Sequence, residues 1–221
     1  MDPLDNDIIF SFWTGANSMS AARRRCLETL RNSTDCRIEL ITVDNLDEYV
    51  LKDHPLHEGY PYLSAVHKAD YLRTYFMHFY GGGYSDIKLP SGSWSAAFEQ
   101  MRADDSIVLN GYHEDGPWDI GNEHVRHLWS LLPGNCAYIV RPGTQFTRDW
   151  YEGMIKIMDS KLVELRLHPA PHSRACKREG SGYPIVWDEI LGRHFHQVAS
   201  NYVESLLFTV PKPILIYTLY A

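Results

Sequence analysis

Asp70 and Arg73 stand three residues apart, Gly81-Gly82-Gly83 follow, and Asp86 and Lys88 come shortly after. On a helix an acid and a base at that spacing share one face, and alone they amount to a surface ion pair of ~0.3 kcal/mol. The glycines change that reading, because they end a helix and let backbone come close to a ligand. If residues 84–89 form the next strand, alternation puts Tyr84, Asp86 and Lys88 on one face and Ser85, Ile87 and Leu89 on the other. A carboxylate at the end of such a strand, beside a helix carrying Asp70 and Arg73, makes a polar cluster at a sheet edge. Ligands of open α/β sheets bind at that edge.

The elements that must position this cluster can be followed along the chain. Residues 7–13 are a short apolar run ending in Thr14-Gly15-Ala16-Asn17, which predicts a buried strand leaving the core through a turn. Ser18 or Ser20 caps a helix over 21–32, with Leu27 and Leu30 facing in and Arg23-Arg24-Arg25 solvated. A strand at 37–43, a short helix at 44–51 and a Pro/Gly-rich loop at 54–61 precede a long helix over 63–80. In that helix Ala65, Ala69, Leu72, Phe76 and Phe79 recur at helical spacing as a core-facing stripe, with Asp70 and Arg73 about 100° round from it. Further strands are expected at 106–112 and 136–140, and helices at 145–165 and 187–198. The stretch 206–221 reads as a closing strand, a docked tail or a truncation point leading into another domain. Loops 112–122 and 168–182 are long enough to cover a substrate. The alternation of strand and helix predicts an α/β fold with a largely parallel sheet and helices on both faces.

Bulk properties narrow the function classes. A chain of 221 residues, 44% hydrophobic and 22% charged, suits one domain with a substantial core. Its 21 basic and 28 acidic residues leave a charge of −7, so nothing attracts a polyanion globally and no nucleic-acid partner is expected. A local basic pocket for one small diphosphate is compatible with that balance. Four cysteines at 26, 36, 136 and 176 contain no C-x-x-C pair and read as free thiols in a reducing compartment. His124/His127 and His194/His196 lack an H-E-x-x-H context, which argues against a zinc enzyme. The acidic start and the lack of any run near ~18 apolar residues predict a soluble, cytoplasmic chain with no leader and no transmembrane segment.

His67-Lys68-Ala69-Asp70-Tyr71-Leu72-Arg73, then Tyr80-Gly81-Gly82-Gly83-Tyr84-Ser85-Asp86, resembles the SDxxR … YGGxYxDxD signature of GT-A glycosyltransferases. The similar families are the mannosyl- and galactosyltransferase-like family 32, capsular-polysaccharide synthesis proteins, chlorovirus-encoded sugar transferases and large clostridial glucosylating toxins. Phe12-Trp13-Thr14-Gly15, Asn135 to Pro142, and Gly182 to His196 with Trp187-Asp188-Glu189 resemble other family blocks less specifically. The resemblance implies a Rossmann-like nucleotide-diphospho-sugar transferase fold in a single domain, 1–221, with a mostly parallel mixed central sheet. Residues 1–112 would form the nucleotide-sugar half and 113–221 the acceptor half. It implies a hexosyl- or deoxyhexosyltransferase taking sugar from a nucleotide diphosphate sugar, UDP first, to a glycan or glycoconjugate, with viral or bacterial intracellular glycan synthesis as the setting. Trp13 would stack on or beside the base, with Thr14 next to it at the donor, and Asp70 and Arg73 would hold sugar hydroxyls and help place Asp86. Asp86 would be the first carboxylate of the DxD motif, touching ribose and, through water, a Mn²⁺ or Mg²⁺ ion.

One position departs from the pattern. The second DxD carboxylate, the direct metal ligand, is Lys88 here, and an ammonium at that place repels a cation. Lys88 then replaces part of the metal's charge, or a metal binds through Asp86 and a later residue such as Asp188, Glu189, His194 or His196, or donor binding survives without transfer. An inverting mechanism would also need a general base. Asp115, Asp119, Glu123, Asp188 and Glu189 are the carboxylates in the right half of the chain, and Asp188 and Glu189 rank first because they fall in a family-like block. Among Tyr112, Trp118, Trp129, Tyr138, Trp150 and Tyr183, core packing is the default, and Trp118 in Gly116-Pro117-Trp118-Asp119 is the candidate to stack on an acceptor sugar. A silent nucleotide-sugar-binding module is the alternative to a transferase. A nucleotidyltransferase lacks its Gly-rich basic loop here, and a Rossmann oxidoreductase its G-x-G-x-x-G.

Overall fold

In the computed structural model, which describes residues 2–216, the chain opens with β1 (Ile8–Trp13), α1 (Ala21–Ser33) and β2 (Arg37–Thr42). Ser20, rather than Ser18, caps α1 by accepting the Arg23 N–H. Helix α2 (Ala65–Phe79) starts at Ser64, whose side chain accepts the His67 N–H, and ends at Tyr80. Next come β3 (Gly82–Ser85), α3 (Ser95–Ala103), β4 (Leu109–Asn110) and β5 (Ala137–Val140). The chain closes with α4 (Gln145–Leu167), α5 (His194–Ala199) and β6 (Leu206–Leu207).

The strands form one sheet in the order β2-β1-β3-β5-β4-β6. β1 pairs in parallel with β2 and β3, and β4 with β6, while β5 runs antiparallel to both β3 and β4. Among the described residues, then, five strands point one way and β5 alone opposes them, which bears out the mostly parallel mixed sheet. Strand alternation explains the two-sided core. Ile8, Phe10 and Phe12 of β1 join the larger cluster with Phe76, Tyr84 and Tyr138. Ile9 faces the other way, into a second cluster with Phe98, Met101 and Ile139. Residues of α2, α4 and α5 fill the first cluster, while those of α3 fill the second and α1 packs through Cys26 and Leu27 on a third that Ile38 and Leu40 join. Both faces of the sheet are covered.

Several expectations are corrected. Helix α2 is buried well beyond one stripe. His67, Tyr71, Thr74, Tyr75 and Met77 are inaccessible, whereas Ala65, Ala69 and Phe79 are only half-buried, because α2 lies between the sheet and α4. The Asp70–Arg73 pair is therefore no surface pair. β3 starts at Gly82 and stops at Ser85, so alternation does not reach Lys88. Gly81 and Gly82 adopt φ of 67° and 79°, the left-handed region that a side chain disfavours. A Cβ on Gly83 would lie 2.8 Å from Ile9 Cγ1, so glycine is what allows β3 against β1.

The strand at 106–112 shrinks to Leu109–Asn110, and the helix at 44–51 to the 3₁₀ turn Leu46–Glu48. The helix at 187–198 splits into a π turn, Glu189–Arg193, and α5. Helix α3 carries no side-chain cap and only one short apolar face, Ala97, Phe98 and Met101, so periodicity does not announce it. Arg23 is not simply solvated, since it donates to the Ile87 carbonyl at 2.8 Å. Of the closing stretch, Leu206–Leu207 pairs with β4 and Ile214 bridges Leu89, while residues 217–221 lie outside the described residues. No helix among the described residues is long and apolar enough to cross a membrane.

Candidate functional site

β1 and β3 are parallel neighbours with Phe10 opposite Tyr84, so the chain leaves both strands at one sheet edge. Trp13 and Thr14 sit at the β1 exit and Asp86 at the β3 exit. Thr14 Oγ1 donates to the Ala65 carbonyl at 2.5 Å, which ties that edge to the first turn of α2. Trp13 Nε1 donates to the Asn17 carbonyl at 2.7 Å, and its ring packs beside Leu27 and Ile87.

Asp86 is the hub of the charged cluster. Its Oδ1 accepts from the Tyr84 hydroxyl at 2.5 Å and lies 3.0 Å from Arg73 Nη2, while Oδ2 is 2.9 Å from Lys88 Nζ. Asp70 Oδ1 stands 3.5 Å from the same Arg73 nitrogen. Lys88 returns to Asp86 through a tight turn in which its N–H donates to the Asp86 carbonyl at 2.7 Å. Thus Tyr84, Asp86 and Lys88 do meet, but by a turn and not by strand alternation. Arg73 lies 4.5 Å over the Tyr84 ring and donates to the Asn135 carbonyl at 3.0 Å. Lys88 Nζ also reaches Cys136 Sγ at 2.9 Å, and the Asp86 N–H donates to the Cys136 carbonyl at 2.8 Å. The four charged side chains are between 6% and 19% exposed, so this is a low-dielectric site that still opens at Asp86.

The two carboxylates are driven apart in acidity. Burial pushes Asp70 up to about 7 against the pull of Arg73, and the Asp86 charge adds to the rise. Burial would raise Asp86 as well, but Lys88 and Arg73 outweigh it and hold that carboxyl well below its ordinary range. Burial likewise opposes the Lys88 charge, yet Asp86 keeps the ammonium protonated beyond its ordinary range. Burial and Asp86 lift the Cys136 thiol to about 11, so it stays neutral. Separated acidities of this kind mark functional carboxylate pairs. Two buried polar atoms here, Arg73 Nε and the Tyr138 hydroxyl, have no partner among the described residues. Unmet polar atoms at a sheet edge are what an incoming ligand or water satisfies.

The downstream candidates divide. Asp188 Oδ1 pairs with Arg193 Nη2 at 3.1 Å and lines a 380 Å³ polar cleft with Gly121, Asn122 and Arg126. A Cβ on Gly192 would stand 3.2 Å from Asn135 Nδ2 and 3.7 Å from Asp188 Cβ. Gly192 is thus the spacer between Asp188 and the residue whose carbonyl Arg73 holds. Glu189 is committed elsewhere: Oε2 accepts the Val186 N–H at 2.8 Å and Oε1 lies 3.6 Å from Lys161 Nζ. That is the geometry of a turn cap, not of a free base. Asp115 and Asp119 are exposed, with Asp115 2.7 Å from Lys212, and Glu123 is exposed at the rim of the polar cleft. Trp118 stands 81% exposed, while Tyr112, Tyr138, Trp150 and Tyr183 are core residues. A second cleft, of 460 Å³ and bounded by His57, Tyr151 and Asp159, shares no residue with either region.

Four contributors take roles that their residue types do not show in the sequence, although alternation already places Tyr84 beside Asp86. Tyr84 hydrogen-bonds the hub, Asn135 holds Arg73, and Cys136 holds Lys88. His67 lies 2.8 Å from the Tyr183 hydroxyl and 3.3 Å from the Trp187 carbonyl, pinning the 183–187 segment to α2 one turn before Asp70. The segment 135–142 had been singled out, but nothing in its composition showed that a backbone carbonyl was its contribution.

A Mn²⁺ or Mg²⁺ ion fits this donor set poorly. Both Asp86 oxygens are already taken by cations, and no group of three or more His, Cys, Asp or Glu among the described residues is placed to hold a metal. Of the alternative ligands, His194 bonds the Trp150 carbonyl, His196 lies between the Gly121 N–H and the Pro133 carbonyl, and Glu189 is the turn cap. Asp188 alone keeps some freedom. The histidines thus serve the packing, and the four cysteines are free thiols.

Residues 2–87 match the family model described as capsular polysaccharide synthesis protein. That segment holds β1 to β3 and ends one residue past Asp86. The solved structure of "PaToxG Glycosyltransferase" superposes with a TM-score of 0.51 at 10% identity, covering 97% of this chain and 82% of that one. At that identity the likeness shows a shared fold, and the α/β glycosyltransferase fold expected from the sequence is the one observed. No curated protein matches the chain.

Proposed function

We propose that this chain is a glycosyltransferase that takes a sugar from a nucleotide diphosphate sugar, a UDP-sugar first, and gives it to a glycan or glycoconjugate. The observation that carries the reading is the buried Asp70–Arg73–Asp86–Lys88 cluster at the exit of β3, of which Asp70, Arg73 and Asp86 lie inside the segment matched by the capsular polysaccharide synthesis model and Lys88 is the next residue after it. The fold shared with a glycosyltransferase at 97% coverage supports it. In the transfer, the bond from the sugar to the diphosphate breaks and the leaving diphosphate gains negative charge. Catalysis is mainly the stabilisation of that charge by groups already in place. Arg73 and Lys88 are held charged by Asp86, so the site carries its own fixed positive charge at the place where the DxD pattern implies a divalent ion. Asp86, kept ionised, accepts from ribose or sugar hydroxyls, and Asp70, whose proton is held up to about pH 7, can donate below that pH. Trp13 and Thr14 border the nucleotide on the β1 side. Asp188 is the candidate base for an inverting route, and Trp118 the acceptor platform.

A thermal-shift screen of UDP-, GDP- and dTDP-sugars, with and without Mn²⁺, tests the donor site, because a ligand bound to the folded state raises its stability. A UDP-sugar shift that persists in excess chelator is the expected result. Failure of all three nucleotide classes removes the reading. The second reading, a nucleotide-sugar-binding module without transfer, is favoured by the full engagement of Asp86 with its neighbours. Product formation with any acceptor, or slow donor hydrolysis, rejects it.

A further inference from the structure

The polar cleft beside Asp188 is unlike the rest of the surface. The chain carries a charge of −7, yet three arginines, Arg126, Arg178 and Arg193, line this one 380 Å³ space against two carboxylates, Glu123 and Asp188. Arg193 is matched by Asp188 at 3.1 Å. Arg178 is exposed on a short 3₁₀ turn, Lys177–Glu179, and no ion pair to it occurs among the described residues. Arg126 lies 4.9 Å over the ring of Trp118, and its Nε is buried without a partner among the described residues. A buried donor without an acceptor costs ~1–3 kcal/mol, which a bound anion would recover. Trp118 offers an apolar face next to those charges, and 81% of it is open.

A flat aromatic beside unmatched guanidinium groups suits one ligand chemistry: a pyranose ring whose C–H face lies on the indole and whose anionic substituent takes a forked pair of N–H bonds. The cleft is within the ~300–1,000 Å³ range of small-ligand sites. It is also fixed in place. The Gly121 N–H donates to His196 Nδ1 at 2.9 Å, and Asn122 Nδ2 donates to the Arg193 carbonyl at 3.1 Å, so the wall is tied to α5. Through Gly192 the floor at Asp188 backs onto Asn135 and hence Arg73.

We propose that this cleft, together with the Trp118 ring that Arg126 joins to it, is an acceptor subsite for an acidic sugar, a pyranose bearing a carboxylate or a phosphate, with Trp118 as the stacking face and Arg126 and Arg178 as the anion-binding pair. The inference rests on the transferase reading for the word acceptor, but the binding itself does not. Titration of the protein with methyl glucuronide, glucose 6-phosphate and methyl glucoside, followed by saturation-transfer NMR and calorimetry, tests it. Binding of either anion at least tenfold tighter than the neutral glucoside, weakening as salt rises, is the expected result, and the better anion identifies the substituent. Arg178→Gln, at an exposed position that puts folding at little risk, should reduce the anion preference several-fold, and Arg126→Gln should abolish it. Trp118→Ala should weaken the neutral and charged sugars alike. Equal binding of the three sugars, or anion preference unchanged in both arginine variants, overturns the proposal. A nucleotide-sugar shift measured on the same wild-type sample keeps the two readings apart. If the shift is absent while acidic sugars bind, the transferase reading fails and the subsite stands; the reverse pattern removes the subsite alone.

Discussion

The chain holds two charged regions, and they are built on opposite terms. Around Asp86 both carboxylate oxygens are met and both cations are ion-paired, leaving Arg73 Nε and the Tyr138 hydroxyl unmet among the described residues, and the groups come from α2, β3 with the turn after it, and the residues just before β5. Around Trp118 the aromatic is open, Arg126 lacks one partner, and the groups come from 3₁₀ and π turns. A network whose charges are paired before anything binds is preorganised, which is what stabilising a developing charge requires. A region with unmatched donors and an exposed ring instead waits for its partner to supply the acceptor. The contrast assigns donor chemistry to the first and recognition to the second.

The largest effect should come from breaking the charge-paired network. Asp86→Ala leaves Arg73 and Lys88 buried without their counter-charge, and removing one partner of a buried pair costs ~3–5 kcal/mol. Urea midpoints should fall accordingly, and Asp86→Ala with Lys88→Ala should cost less than the two single changes added together. Strict additivity would mean that the pair is not coupled. Lys88→Met, which removes the charge with less loss of packing, should lower transfer by ~10²–10³-fold, the worth of one charge-stabilising donor. Lys88→Asp restores the two-carboxylate motif, so its activity should become Mn²⁺-dependent while the wild type stays indifferent to chelator. A wild type that stops in chelator would show that Lys88 does not stand in for a metal.

Smaller, pH-dependent effects separate the regions further. Asp70 titrates near 7 when folded and about 3.9 when unfolded. The folded state holds its proton more firmly, so this group's stabilisation is full below about pH 4 and is lost as pH rises through 7. Against Asp70→Asn, the wild-type melting temperature should therefore fall relative to the variant between pH 5 and 8. His196 behaves in the opposite sense. Burial lowers it to about 4, and it is neutral between the Gly121 N–H and the Pro133 carbonyl, so its contribution is present above about pH 6.5 and is lost as pH falls toward 4. The wall of the polar cleft beside Asp188 should loosen first in acid, readable as faster amide exchange at Gly121.

Legibility in the sequence follows the same division. Asp70, Arg73 and Asp86 were found because two regular elements and a glycine turn join them within seventeen residues. The parallel strands β1 and β2 and helix α4 lie within a few residues of expectation because a short apolar run, a β-branched segment and a helical stripe each carry a local signal. Helix α3 was not, because nine residues with no side-chain cap carry no such signal. Glu189 was ranked with Asp188 as a base, since neighbours in sequence cannot be told apart there; the π turn sends one to a backbone N–H and the other to the cleft. Asn135 contributes a backbone carbonyl, which leaves no mark on residue type.

Trp118 gives the smallest effect on stability and the sharpest test of the division. At 81% exposure its main contact is the Arg126 guanidinium, worth ~0.5–1 kcal/mol at such a site. Trp118→Ala should therefore move the urea midpoint by no more than that, while leaving the nucleotide-sugar shift intact and raising the acceptor KM. A large loss of stability would make Trp118 part of the core packing, and a lost donor shift would merge the two regions into one site. Either outcome removes the argument that a charge-paired network binds the donor and a region of unpaired charges reads the acceptor.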